Sequence, residues 1–135
     1  MLQEDIKQII VIRKDLNMRK GKMIAQGAHA SQLAIFTFAS NINNGRVSFE
    51  LMDSNQEHTI LGKWLEYNFK KIVVGATSEQ ELLAIYEQAQ KLKLPTAIVQ
   101  DSGLTEFNGI KTYTAIAIGP TKAEDLMFTS HMVLL

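Results

Sequence analysis

Four short apolar runs recur along the chain, and each has the length of a strand. The clearest is KQIIVIR at Lys7–Arg13, whose four consecutive β-branched residues lack alternation and indicate a strand buried on both faces. Three later runs are predicted to be strands as well: KKIVVGA at Lys70–Ala76, TAIVQ at Thr96–Gln100 and TYTAIAIG at Thr112–Gly119. The final HMVLL is a candidate for an additional edge strand.

Helical patterns lie between these strands. From Lys20 to Ala39, apolar residues spaced three, four and seven apart share one face of a predicted helix, and small residues keep it slim. Three further helices are predicted: one around Leu61–Phe69, one that a Ser78/Glu81 capping box opens and that runs to about Lys93, and a short last one that Pro120 and a Thr121/Glu124 capping box open. The polar segment Asn41–Thr59 has no clear period and is interpreted as a loop.

Strands that alternate with helices predict an α/β sheet covered on both faces, with right-handed crossovers between parallel strands. Sites on such sheets lie beyond the carboxyl ends of the strands. The loop after the first strand, Lys14–Lys22, and the loop after the third, Asp101–Gly109, are therefore expected at the same edge.

Composition narrows the class of protein. The chain has 135 residues, the size of one domain, and its 46% hydrophobic and 21% charged content is ordinary for a soluble globular protein. It has no cysteine, which excludes a disulfide framework, a zinc-thiolate site and a cysteine nucleophile. The start MLQEDIK lacks the design of a signal peptide, and no apolar run reaches the roughly 18 residues of a membrane span. We expect a single soluble domain over residues 1–135, located in the cytoplasm.

Charge is balanced overall but not locally. Fourteen basic residues offset fourteen acidic ones, yet the segment 13–22 holds five cations (Arg13, Lys14, Arg19, Lys20 and Lys22) against Asp15 alone. Cations at a helix start oppose the positive end of the helix dipole, and a bound anion would relieve that mismatch. The cluster is therefore interpreted as a phosphate-binding mouth, with a solvated surface patch as the alternative. It is not a Walker loop, because the first glycine is missing and Met23 follows the GK.

Asp101 follows a buried strand and opens a turn. On its own it is most simply a turn-capping residue. With Lys20 and Lys22 expected at the same edge, a lysine, a carboxylate and a hydroxyl could together activate water and stabilise an oxyanion without a histidine. The histidines do not have the spacing of metal ligands, and the sequence contains no serine-triad or dinucleotide-binding motif. His29 lies within the first predicted helix, where we expect a packed or internally hydrogen-bonded ring.

Three segments carry a family resemblance. RKDLNMRKGKMIAQGAHAS, VQDSGLTE and AIGP, in this order, are similar to the peptidyl-tRNA hydrolases of the archaeal and eukaryotic type. The resemblance implies a mixed four-stranded sheet with helices on both faces, frequent homodimers, no cofactor, and hydrolysis of the ester between a peptide and tRNA. Combined with the strand pattern, it predicts a three-layer α/β/α fold whose mixed sheet is mostly parallel.

The resemblance also assigns residues by position. It implies catalytic roles for Lys20, Asp101 and Thr105, and roles in binding substrate or tRNA for a second group: Arg19, Lys22, Gln26, His29, Thr112 and Thr114. Either of the two later threonines could face the site. Arg19 stands where the family commonly has glycine, so a requirement for positive φ there would bend this loop differently.

Two other functions remain compatible with the sequence. One is a tRNA-binding or regulatory module that keeps the fold and the basic mouth without turnover. The other is a hydrolase of small esters or amides, because a fold alone does not determine its substrate.

Overall fold

The computed structural model describes residues 4–104 and 106–135, and of Asn41 the backbone alone. Its elements in chain order are β1 (Ile6–Arg13), α1 (Lys20–Phe36), β2 (Ala39–Asn43), β3 (Arg46–Phe49), α2 (Ile60–Glu66), β4 (Lys71–Ala76), α3 (Glu79–Lys91), β5 (Thr96–Asp101), β6 (Thr112–Lys122), a 3₁₀ helix (Ala123–Thr129) and β7 (Val133–Leu134). In these residues no helix is both long and apolar enough to cross a lipid bilayer.

Within the described part of the chain, five strands form the main sheet, in the order β5-β6-β1-β4-β7. The predicted α/β class with a mixed sheet is confirmed, and β7 supplies the additional edge strand. Among the described strands only β1 and β4 are parallel neighbours, so most adjacent pairs are antiparallel rather than parallel. The reason is β6, which turns back after β5 and inserts between β5 and β1.

Successive side chains of the central strands point to opposite faces of the sheet, and this alternation produces the three layers. Ile10 and Ile12 of β1 pack with α1, while Ile9 and Val11 pack on the opposite face with α3 and the 3₁₀ helix. Small residues let α1 approach closely: a Cβ on Gly27 would lie 3.5 Å from Ile12 Cδ1. The prediction of a sheet covered by helices on both faces is confirmed.

The segment interpreted as a loop instead contains a hairpin. β2 and β3 pair antiparallel, and the two residues between them, Asn44 and Gly45, have φ values of 54° and 75°. Positive φ at both central positions is the geometry that an Asn-Gly hairpin turn requires. The turn cluster NINNGR contains this dipeptide, but the loop interpretation predicted no strand on either side of it.

Two helix predictions also need correction. Helix α1 ends at Phe36, because Thr37 Oγ1 donates to the Ala34 carbonyl and Phe38 turns toward the core around Leu61 and Trp64. The predicted helix start at Pro120 lies within β6, which continues to Lys122 before the 3₁₀ helix. In contrast, Ser78 caps α3 as predicted, with Ser78 Oγ accepting from the Glu81 amide at 3.0 Å.

Candidate active site

One edge of the sheet collects the polar residues of interest. β5 and β1 run in the same direction, since each is antiparallel to β6 between them. Their carboxyl ends therefore lie at one edge, where α1 begins after β1 and where β6 begins after β5. The prediction that the loops after the first and third strands open on the same edge is confirmed by the contact of Lys22 with Asp101.

Among the described residues, three donors hold Asp101 at the end of β5. Lys22 Nζ lies 2.7 Å from Asp101 Oδ1, and Gln26 Nε2 donates to the same oxygen at 3.4 Å. The other oxygen, Oδ2, accepts from the Gly103 amide at 2.8 Å. Because both oxygens are engaged, the carboxylate has a defined orientation.

These contacts lower the pKa of Asp101. The hydrogen bond from Lys22 lowers the pKa of its carboxyl below the ordinary value, and the Gly103 amide, the charge of Lys22 and the Gln26 amide act in the same direction, against an opposing effect of burial. A carboxylate with a lowered pKa is a weak proton acceptor. At neutral pH Asp101 is thus a carboxylate whose two oxygens accept from Lys22, Gln26 and Gly103.

Gly103 makes the turn after Asp101 possible. Its φ is +81°, and a Cβ there would lie 2.1 Å from the Ile110 carbonyl oxygen. No side chain fits such a position without moving the backbone, so glycine allows the amide to reach Asp101. The sequence places Gly103 in the turn that Asp101 opens, and the D-x-G spacing is typical of an aspartate that bonds to the backbone two residues on.

Gln26 connects the carboxylate to β6. Thr114 Oγ1 donates to Gln26 Oε1 at 2.5 Å, which leaves the Gln26 amide nitrogen to face Asp101. Both side chains are buried. Of the two candidate threonines, Thr114 is therefore the one that joins the cluster, whereas Thr112 Oγ1 donates locally to the Ile110 carbonyl.

The cations of the segment 13–22 have different surroundings. Arg13 is buried, pairs with Asp15 and donates to the Tyr113 carbonyl at 3.1 Å, so it stabilises the loop. Arg19 Nε pairs with Glu106 at 3.1 Å while its side chain stays 85% exposed. Lys20 is exposed at the first position of α1, and it is Lys22 that contacts Asp101.

The charges and backbone amides at the start of α1 favour binding of an anion. Its first turn carries no acidic residue, and its N-cap, Arg19, makes no side-chain capping bond. Arg19 has φ of −62°, so arginine at this position needs no left-handed backbone. The free amides at a helix start and the adjacent cations both favour a negatively charged ligand.

Two of the predicted site residues, His29 and Thr105, are not among the contacts described above. His29 is exposed on α1, so the prediction of a packed ring is wrong. Thr105 falls outside the described residues.

A residue that the sequence reasoning missed is Phe107, whose ring centroid lies 5.8 Å from Lys22 Nζ, an arrangement suited to cation–π attraction. In the part of the chain that is described, no three histidine, aspartate or glutamate side chains are grouped to bind a metal ion.

Comparison with known proteins identifies the family of the chain. The family model described as "Peptidyl-tRNA hydrolase PTH2" matches residues 6–135. The chain is 40% identical to the peptidyl-tRNA hydrolase of Methanocaldococcus jannaschii, over 96% of this chain and 100% of that protein. It is 36% identical to the enzyme of that name from Thermococcus onnurineus, over 95% and 96% of the two chains, and 40% identical to that of Sulfurisphaera tokodaii, over 87% and 88%. The family match and these identities together show that the chain belongs to the peptidyl-tRNA hydrolase PTH2 family.

Proposed function

We propose that this protein hydrolyses the ester between the peptide and the terminal ribose of peptidyl-tRNA. The observation that carries the proposal is the contact between Lys22 and Asp101 at the edge where α1 begins. It places an ammonium group and a fixed carboxylate beside exposed cations, in a chain whose relatives bear the name of this enzyme.

The reaction needs few groups. Water adds to the ester carbonyl carbon, the bond from that carbon to the ribose oxygen breaks, and the products are a peptide carboxylate and tRNA with a free hydroxyl. Negative charge develops on the carbonyl oxygen in the transition state, and a positioned cation there is worth about 10²–10³-fold in rate. We assign this role to Lys22, which Asp101 holds in place.

The remaining residues have supporting roles in this proposal. Gln26 and Thr114 keep Asp101 oriented, and Thr105 would direct the attacking water through its hydroxyl. Lys20 and Arg19, together with the amides at the start of α1, bind the phosphates near the tRNA terminus. A non-catalytic tRNA-binding module would use the second set without the first.

Release of tRNA from a labelled N-acetylaminoacyl-tRNA tests the function. We expect cleavage by the purified protein and a loss of about 100-fold or more in Asp101→Asn, because Lys22 then loses its anchoring charge. Asp5→Asn is the control, since Asp5 forms an exposed ion pair with Lys70 away from the site. If tRNA binds but no ester is cleaved above the Asp101→Asn level, the protein is a binding module instead.

We further propose a homodimer. An apolar groove of about 520 Å³ runs between α1 and β4; of the residues that line it, Ile24 is 72% exposed and Phe69 and Leu135 are about half exposed. A second copy covering this groove would remove that surface from water. Light scattering should give the mass of two chains for the natural protein and of one chain for Ile24→Lys; a natural monomer would contradict this.

We assign the protein to the cytoplasm and treat residues 1–135 as one functional domain. The proposed substrate is produced by ribosomes, so the enzyme is expected where they work. Cell fractionation followed by immunodetection would test the location, and recovery of the protein with membranes would contradict it.

A further inference from the structure

Beside the cluster of Lys22, Gln26 and Asp101, a second groove continues between α1 and β5. It has a volume of about 260 Å³. On the helix its walls include His29, Leu33 and Phe36, and on the strand they include Ile98 and Gln100. Gln100 immediately precedes Asp101, so the groove lies next to the candidate site along β5.

The three helix residues of this groove continue a regular stripe along α1 that begins at the candidate site. Lys22, Gln26, His29, Leu33 and Phe36 follow one another at intervals of four, three, four and three residues. That spacing keeps side chains on one face of a helix. At 1.5 Å per residue the stripe covers about 21 Å, with charged and polar groups at the site end and apolar ones at the far end.

Two features of the walls of this groove are unusual for a protein surface. Leu33 and Phe36 are 44% and 43% exposed, although both lie against the edge of a sheet. In addition, β5 is an edge strand: among the described residues it has β6 on one side and no strand on the other. An edge strand offers backbone amides and carbonyls in the spacing that an extended peptide needs.

We propose that this groove, named here the α1–β5 groove, binds the peptide part of peptidyl-tRNA as an added strand beside β5. The inference rests on the proposed function. An enzyme of this kind must accept peptides of any sequence, and backbone pairing recognises a peptide without reading its side chains. Leu33, Phe36 and Ile98 supply apolar contact of low selectivity.

The direction of the bound peptide follows from the fold. β5 runs toward the site and ends there at Asp101. The peptide is esterified through its carboxyl end, so its chain must also run toward the site. It therefore pairs parallel to β5, and the stretch from Asp101 back to Ile98 spans about 10 Å, or roughly three peptide residues.

Charge argues against RNA in the same groove. Among the residues that the structure describes, its lining includes His29 but no lysine, arginine, aspartate or glutamate. Phosphates would find no cation to pair with there, whereas Arg19 and Lys20 lie at the opposite end of the stripe, where α1 begins. The ester thus lies between a basic end for tRNA and an apolar end for peptide.

Dependence on peptide length tests the inference. We compare kcat/KM for tRNA carrying N-acetyl-leucine with that for tRNA carrying an N-acetylated tetrapeptide that ends in leucine. The natural protein should favour the longer substrate by roughly tenfold, the ratio that about 1.4 kcal/mol produces. In Leu33→Gln this preference should fall toward one, while Leu92→Gln, a matched change at a side chain 48% exposed elsewhere, should keep it.

Equal rates for the two substrates in the natural protein, or an unchanged preference in Leu33→Gln, would overturn the groove assignment and leave the proposed function intact. Failure to cleave either substrate would overturn both. A second measurement uses a tetrapeptidyl-tRNA analogue with an uncleavable amide link and a benzoylphenylalanine at its first residue. Photo-crosslinks to Leu33 or Phe36 support the proposal, and crosslinks to Ile24 or Val73, in the groove on the other side of α1, contradict it.

Discussion

Lys22 Nζ and Asp101 Oδ1 lie 2.7 Å apart although 79 residues separate them in sequence. Both side chains are mostly shielded from water, with 17% and 12% of their surface exposed. Ion pairs in such surroundings are screened less by solvent and salt than pairs on an open surface. The pair therefore joins the start of α1 to the end of β5 and fixes an ammonium group at the edge where the two elements meet.

The two lysines of the K-G-K motif should have separable effects. Lys22→Met removes the cation that Asp101 orients, so kcat should fall by about 100-fold or more with a smaller change in KM. Lys20→Met removes an exposed cation, so KM should rise several-fold with little change in kcat. Steady-state kinetics on N-acetylleucyl-tRNA measures both. The reverse pattern would mean that Lys20 meets the developing charge.

Stability should depend on pH through Asp101. Its folded-state pKa is lowered, mainly by the Lys22 hydrogen bond, so its contribution is complete above the ordinary aspartate value of about 3.9 and is lost as pH falls through the lowered pKa. Urea unfolding of the natural protein and of Asp101→Asn at a series of pH values tests this. The difference in unfolding free energy should be constant from pH 7 to 5 and shrink in stronger acid; a difference that shrinks near pH 6 would contradict the lowered pKa.

Gly103→Ala should damage the site through the backbone. The new methyl group would overlap the Ile110 carbonyl, so we expect a loss of roughly 2–4 kcal/mol in unfolding free energy and a marked loss of activity. Gly109→Ala is the matched control, because Gly109 also has positive φ, at +78°, but has open space around it. It should cost only about 1 kcal/mol. Equal losses in the two variants would show that φ alone, rather than the contact with Ile110, makes Gly103 necessary.

Binding of tRNA should depend on salt through the start of α1. Arg19→Gln and Lys20→Gln should each reduce the slope of log affinity against log salt by about 0.7–0.9, the value for one phosphate contact. Glu106→Gln should strengthen binding, because it removes the carboxylate that pairs with Arg19. Lys91→Gln, at the end of α3, is the control and should leave the slope unchanged. Filter binding with uncharged tRNA measures these slopes. An effect of Lys91→Gln equal to that of Lys20→Gln would argue against a tRNA-binding site localised at the start of α1.

The sequence predicted the central elements well because their signals are local. Four β-branched residues in a row identify β1, and Ser78 with Glu81 marks the start of α3. Neighbour relations in the sheet depend on contacts distant in sequence, so the insertion of β6 between β5 and β1 was not predicted. The predicted start of the last helix was wrong for the same reason: pairing with β1 keeps the chain extended to Lys122, and the 3₁₀ helix begins only at Ala123.

Within the candidate site, residue types were easier to predict than their partners. The family resemblance points to Lys20, Lys22 and Asp101, which lie in two separate segments of the sequence. Only the folded position of α1 shows that Lys22 is the lysine that reaches the carboxylate. Thr112 and Thr114 look alike in sequence. Their roles separate because Thr114 faces the buried Gln26, while Thr112 stays at the strand end and bonds to its own turn.

A double-mutant cycle on Lys22 and Asp101 tests most directly whether the pair acts as one catalytic unit. We would measure kcat/KM on N-acetylleucyl-tRNA for the natural protein, Lys22→Ala, Asp101→Asn and the double variant. The prediction is that each single change lowers kcat/KM by about 100-fold or more and that the double variant loses about as much as either one alone. A double loss equal to the product of the single losses, about 10⁴-fold, would mean that the two residues act independently and would contradict the account.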